Sequence, residues 1–371
     1  MDPRTTRLYE RHAEQWITRR TPTALDDGRL QAFARRVRRG SRVVDLGCGP
    51  GWYADWLRTA GFRVVAVDIA AAMLKAVAQR GADLAPVRAD LTALPFTHAA
   101  FDAAWAINCY SHLPSRELPR ALADLQLALQ PGAPVELTLA SLEHFDPSPA
   151  ERATGEAERR SDKEPFRGRL FTAVTRQRAR TLLEGAGFDA IRVRLLPDHF
   201  WLGIRARRAR TLPDLVGPGL RLLICGLNPS VYSADIGVPF GRNGNRFWPA
   251  ARRARLIVRE RDPLDAFRRG IGFTDLVKRA SAGAAEIRAE EYRAGIRRIE
   301  ALVRRYQPGA VCFVGLDGWR AVVDRRAQPG WIAGGVGGRP AYLMPSTSGR
   351  NARVPPVDLA AHLRTAAARP V

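Results

Sequence analysis

Three glycines alternate in the run VVDLGCGPGW: Gly47, Gly49 and Gly51 follow an apolar, β-branched stretch that ends at Asp45 and precede a stretch able to be helical. Missing side chains there, with Cys48 between them, let a ligand approach the backbone closely. Seventeen residues after Gly51, Asp68 closes the next apolar run, where a carboxylate can take both hydroxyls of a ribose. Strand, loop, helix, strand and terminal acid together point to a ribose-containing ligand. A nicotinamide enzyme is the alternative reading, and GCGPG departs from its GxGxxG.

A second constellation starts at LLICGLNPSVYSADIGVPFGRNGNRFWPA, where a buried run opens at Gly226 into a loop presenting Asn228. Asn-Pro after a strand is by itself only a turn signal. Two later stretches give it context: GIGFTDLVKRA at 270–280 and MPSTSGRNARVP at 344–355.

The elements that must position these residues are α/β in character. Runs at 43–45, 63–68, 101–107, 135–140 and 191–195 predict strands, with helices over 52–60 and 171–186. The polar segment 143–168 reads as a lid or insertion. A basic run at 205–210 and Gly217-Pro218-Gly219 mark a linker over 208–219. Beyond it, strands are predicted at 220–225, 310–315 and 341–344, with a helix carrying Ile296, Ile299, Leu302, Val303 and Tyr306 on one face. The expectation is a domain at 1–207 and another at 220–371.

The 371 residues carry a formal charge of +22, which fits a polyanionic partner. Arginine and alanine enrichment, with Lys75, Lys163 and Lys278 the only lysines, is the competing reading, as expected of GC-rich coding DNA. No apolar stretch approaches the ~18 residues of a membrane span, and the charged N-terminal segment is unlike a secretory signal, so a cytoplasmic location is expected. Cys48, Cys109, Cys225 and Cys312 form no CxxC pair, so neither a metal site nor a disulfide framework is expected.

The first constellation resembles the class I S-adenosylmethionine methyltransferases over about residues 1 to 207. The resemblance implies a Rossmann-like domain whose cofactor is S-adenosylmethionine. Asp45, Gly47, Cys48, Gly49 and Gly51 would form the methionine-side loop, Asp68 the ribose acid, and Asp90 in VRADLTALPF the adenine contact. Tyr9, Ala13 and Trp16, on one helical face, would lie over the cofactor; core packing is the alternative for Tyr9 and Trp16. The fourth strand ends in AINCYSHLP and lacks the [DN]PP[YF]-like tetrapeptide of amino-methylating DNA enzymes. His112 reads as structural, and the methyl acceptor stays open.

The second constellation resembles the mismatch-specific uracil and thymine DNA glycosylases of the uracil-DNA glycosylase superfamily over about 214 to 371. The resemblance implies a second α/β, three-layer domain with a central, mostly parallel sheet, acting on double-stranded DNA with a mismatched or damaged pyrimidine. Asn228 would hold the attacking water by its side-chain oxygen, and the loop of Gly226, Leu227 and Ser230 would stabilise the departing pyrimidine. Phe240 would stack on the extruded base. Asn245, Phe247 and Trp248 would brace the loop, and Trp319 and Trp331 belong to the core. The loop of Ser346, Ser348, Gly349, Arg350 and Arg353 resembles the family's wedge, which fills the hole left by a flipped base. Ser346 stands where other uracil enzymes carry an electrophilic histidine, so slow turnover is expected. Ser230 in place of a glycine, and Asp275 facing the base edge, would set selectivity. A binding module that keeps this fold without its chemistry is the alternative.

Overall fold

The computed structural model describes residues 1–19, 28–81, 83–351 and 354–368. The chain forms two compact units, Met1–Ala209 and Arg210–Val371.

The first unit is built on nine strands: β1 (Arg42–Leu46), β2 (Arg63–Asp68), β3 (Ala85–Arg88), β4 (Ala103–Ala106), β5 (Pro134–Ser141), β6 (Glu156–Arg160), β7 (Leu170–Val174), β8 (Phe188–Leu195) and β9 (Trp201–Arg208). The order β3-β2-β1-β4-β5 is parallel throughout. The far side is mixed: β9 runs antiparallel along β5, β8 pairs with β9, and β7 is parallel to the end of β5 with β6 antiparallel beside it. Helices cover the parallel strands on both faces, which is why β1 and β4 read as continuous apolar runs rather than alternating ones.

Two expectations change here. The helix expected over 171–186 is strand first: LFTAV is β7, fully buried, and the helix Arg176–Gly185 starts only where the Thr175 side chain accepts from the Arg178 amide. The segment read as a lid contributes β6 to the sheet. Within the basic run, Arg205 pairs with buried Glu136 at 3.1 Å, and buried Arg208 bonds His98 at 3.0 Å, so arginines occupy strand positions because partners wait for them.

The second unit has five strands, β10 (Leu222–Gly226), β11 (Ile271–Asp275), β12 (Ala310–Val314), β13 (Gly330–Trp331) and β14 (Ala341–Met344), in the order β11-β10-β12-β14-β13. Only β13 is antiparallel. The helix Ala289–Tyr306 buries Ile299 and Val303 against this sheet. Trp319 is core, whereas Trp331 lies half-buried on the edge strand against Tyr342. Within the span expected to link the halves, Leu215 exchanges two backbone hydrogen bonds with Phe273, and Asp214 is buried. No described helix is long and apolar enough to cross a membrane.

Candidate active sites

At the carboxyl end of β1 the backbone turns through Gly47 (φ 63°), Gly49 (φ 53°) and Gly51 (φ 83°) into the helix Trp52–Thr59. A Cβ on Gly47 would fall 2.2 Å from that of Cys109, so only glycine fits. Gly49 has nothing within 4 Å of the equivalent position; its open side faces a cavity that Cys48, Asp68, Tyr9, Trp16, Asn108 and His112 also line.

Asp68, at the end of β2, accepts the Gly49 amide on one oxygen and the Ala70 amide on the other, both at 2.9 Å. Each oxygen keeps a second lone pair for a ligand hydroxyl. Burial raises its pKa, and the two amides only partly offset this. Asp45 is 1% exposed and is pushed up to about 8 by burial and then by Asp68. Its Oδ2 is a buried acceptor without a hydrogen-bond partner among the described residues. Asp45 and Gly51 do not line the cavity, so Asp68 is the carboxylate that faces it, beside a loop with room above Gly49, and it suits a cationic ligand that carries hydroxyl donors. A nucleoside sulfonium with a free amino group has that chemistry. Asp90 is not brought into the cavity: Thr92 donates to it by amide and hydroxyl at 2.9 Å, and the Met1 amino group at 2.7 Å.

In the second unit, β10 runs into the Asn228 loop at the head of a cleft of about 910 Å³. Asn228, Leu227, Ser230, Phe240, Asp275, Ser346, Ser348 and Arg350 all line it. The Asn228 Nδ2 lies 3.1 Å from the carbonyls of Pro229 and Arg279 and 2.8 Å from Ser281 Oγ. Carbonyl oxygens only accept, so the nitrogen must face them, and the amide oxygen is left as the acceptor on the other side. Ser230 caps the helix Val231–Ile236 by accepting the Ser233 amide at 3.1 Å.

Gly226 does not line the cleft itself. A Cβ there would meet Asp275 Oδ1 at 2.4 Å and the Phe240 ring at 3.4 Å, so the glycine lets both approach the loop. Phe240, held at φ 53°, stacks on buried Phe247 with ring centroids 4.3 Å apart. Asp275 is 8% exposed and is pushed up to about 6 by burial, against the opposing charge of Lys278. Arg350 is exposed at the cleft edge, and Gly349 passes close to the Gly244 carbonyl, where a Cβ would sit at 2.9 Å. Arg353 lies outside the described residues.

Three contributors escaped the sequence reading. Ser281 orients Asn228 from 53 residues away. Arg246 donates to the backbone oxygens of Asn351 and Val354 and so braces the loop that carries Arg350. Asp214 receives Lys278 at 2.9 Å and Arg298 at 2.7 Å directly behind β11. Only Arg246 had a local signal, its place inside GNRFW.

Residues 43–132 match the family model described as a methyltransferase domain, and residues 213–363 that of the uracil DNA glycosylase superfamily. Among solved structures, the chain is similar to an S-adenosylmethionine-dependent methyltransferase from Mesorhizobium loti (22% identity, 48% of this chain and 96% of that one, TM-score 0.41). It is also similar to one from Methanosarcina mazei (18% identity, 48% and 97%, TM-score 0.41). A third similar structure is the 1,6-didemethyltoxoflavin-N1-methyltransferase of Burkholderia thailandensis (20% identity, 53% and 87%, TM-score 0.38).

Proposed function

From a chain that carries a methyltransferase domain, with S-adenosylmethionine as its cofactor, followed by a domain of the uracil DNA glycosylase superfamily, we propose two activities. The second unit is a monofunctional glycosylase that removes uracil opposite guanine from duplex DNA, leaving an abasic site. The first unit transfers a methyl group to an acceptor of its own. The observation that carries the glycosylase reading is the fixed amide of Asn228, whose oxygen is the atom free to hold a water.

The steps follow from the residues. A G·U mismatch is weakly paired, so extrusion of its uracil costs less than at a matched pair. The extruded base stacks on Phe240, and Arg350 fills the gap and meets phosphates. The bond from sugar to base then breaks toward an oxocarbenium-like sugar, which takes the water held by Asn228. Amides of the 227–230 loop stabilise the anionic pyrimidine. Lys278 is tied to Asp214 and to the Leu212 carbonyl, so it is not placed to form a Schiff base. The test is to incubate the full chain with a G·U duplex under single-turnover conditions. Alkali-labile sites at the uracil are the expected result; a duplex bound but uncut after alkali leaves only a binding module.

Asp275 sets a pH-dependent selectivity in this scheme. Above about pH 6 its carboxylate accepts from a pyrimidine N3–H and opposes O4; below it, the neutral acid donates instead. The ratio of uracil to modified-cytosine excision is therefore expected to change between pH 5 and 7, both approximate bounds around this value, and to become flat in Asp275→Asn. An equal ratio in both proteins at every pH returns Asp275 to a structural role.

The cofactor supplies an electrophilic methyl group on sulfur. The chain's part is to hold it: Asp68 accepts ribose hydroxyls, the glycine loop, with Asp45 buried at its start, meets the amino-acid end, and Tyr9 and Trp16 cover it. Asp68→Ala is expected to weaken S-adenosylmethionine binding by at least about tenfold, the loss of charged hydrogen bonds at about 1.5–3 kcal/mol. Calorimetry giving equal affinity for both proteins overturns the role of Asp68.

A further inference from the structure

A second cavity of about 420 Å³ adjoins the cofactor cavity and shares Tyr9, Trp16, Asn108 and His112 with it. That volume suits one small organic molecule. Its far wall is an edge-to-face cluster of rings: Phe171 and Phe200 have centroids 5.2 Å apart, Phe200 and Trp201 4.8 Å, and Phe145 and Phe200 5.5 Å. A wall that offers both ring edges and ring faces suits a further aromatic ring, packed edge-to-face or offset.

The charge on this cavity is unbalanced. Arg159 and Arg160 also line it, but they are spent on Glu151 (2.6 Å) and Asp2 (3.1 Å). Arg169 has no carboxylate partner among the described residues. Its guanidinium lies 4.7 Å from the Phe171 centroid and 5.5 Å from that of Trp16, its Nη1 donates to Tyr9 Oη at 2.9 Å, and its Nε is buried without a partner. Asp162 and Asp198 stand at the exposed rim, where Asp198 accepts the amides of Phe200 and Trp201. A half-buried guanidinium surrounded by rings and lacking an anion calls for one from the ligand.

The polar atoms at the junction of the two cavities are oriented as well. Thr138 Oγ1 accepts the Asn108 amide at 2.7 Å and so donates to Asn108 Oδ1 at 2.9 Å, which turns the Asn108 Nδ2 donors away from it. His112 Nδ1 must donate to the Leu170 carbonyl at 2.7 Å. Tyr9 Oη accepts from Arg169 and lies 3.1 Å from His112 Nε2, which accepts the Tyr9 hydroxyl when the imidazole is neutral. A neutral imidazole in this place can take a proton through Tyr9.

Resting on the methyltransferase reading, we propose that this cavity takes the methyl acceptor, and that the acceptor is a small, planar aromatic acid carrying a ring hydroxyl. The anionic group meets Arg169, the ring lies on the Phe171–Phe200 wall, and the hydroxyl points to Asn108 and Tyr9. In the transfer, the carbon–sulfur bond of the methyl group breaks with its electron pair going to sulfur, and a carbon–oxygen bond forms to the ring hydroxyl. The hydroxyl proton passes to Tyr9 as the Tyr9 proton passes to His112.

The test uses the full chain and three probes of one shape: 4-hydroxybenzoate (anion), 4-hydroxybenzamide (neutral) and 4-hydroxybenzamidine (cation). Calorimetry is expected to show the anion bound about tenfold or more tighter than the amide, the value of about 1.4 kcal/mol or more for a charged hydrogen bond. Arg169→Gln should erase that preference while S-adenosylmethionine affinity, read in the same preparation, shows that the unit is folded. Tyr9→Phe should slow methyl transfer to the anionic probe yet leave its affinity within about threefold, an outcome that simple loss of packing does not give. No affinity for the anion, no preference for it over the amide, or methyl transfer confined to nucleic acid overturns the proposal. If S-adenosylmethionine itself does not bind, it is the methyltransferase reading that fails.

Discussion

Asn228→Ala is expected to cut the single-turnover rate of uracil excision from a G·U duplex by about a hundredfold or more, because a nucleophile displaced by ~1 Å costs about that much. Duplex affinity should stay within about twofold, since the amide acts on water and not on phosphate. The geometry makes the prediction specific. The Nδ2 group is committed to Pro229, Arg279 and Ser281, so the side chain cannot rotate to offer nitrogen in place of oxygen. Ser281→Ala removes one of these ties and should give a smaller loss in the same direction. A full rate in Asn228→Ala would mean that the water is held elsewhere, and the cleft would then have to be reassigned.

What could be read without coordinates were the pieces whose chemistry is local. The 47–51 loop declares itself because alternate glycines after an apolar run are a backbone requirement, and Gly47 meets Cys109 at a distance no other residue allows. Asn228 declares itself through its neighbours in the chain. The mixed side of the first sheet was unreadable for the opposite reason. WLGIRARR carries three arginines, a poor strand by composition, yet Glu136 on β5 and His98 supply partners that no window of sequence contains. The same holds for Arg169, whose meaning depends on rings from residues 9, 16, 166 and 171 arriving around it. Asp90 shows the limit of motif transfer. Its position matches, but it does not line the cavity; its carboxylate is held by Thr92 and by the amino group of Met1, which does.

The largest stability effect should come from a residue far from any motif. Asp214 is 3% exposed and accepts from Lys278, Arg298 and Thr274. Burial alone would raise its pKa, but the charges of Arg298 and Lys278 outweigh burial and hold it below the ordinary carboxylate range. Because the folded value is depressed, its stabilisation is present above the unfolded pKa and is lost as pH falls through the folded one. Asp214→Asn keeps the shape but leaves two half-buried cations facing a neutral amide, which costs about 3 kcal/mol, the low end for a broken buried pair. For a unit of this size that is on the order of 10 °C in Tm. Scanning calorimetry can assign the loss, since S-adenosylmethionine raises the transition of the first unit by binding its folded form. The other transition is the one expected to drop. Arg298 also donates to the Asp275 backbone carbonyl, so the pH-dependent selectivity of the cleft should weaken in the same variant. A Tm within about 2 °C of wild type, well under the shift that 3 kcal/mol implies, would show that the two cations find water when their carboxylate is removed.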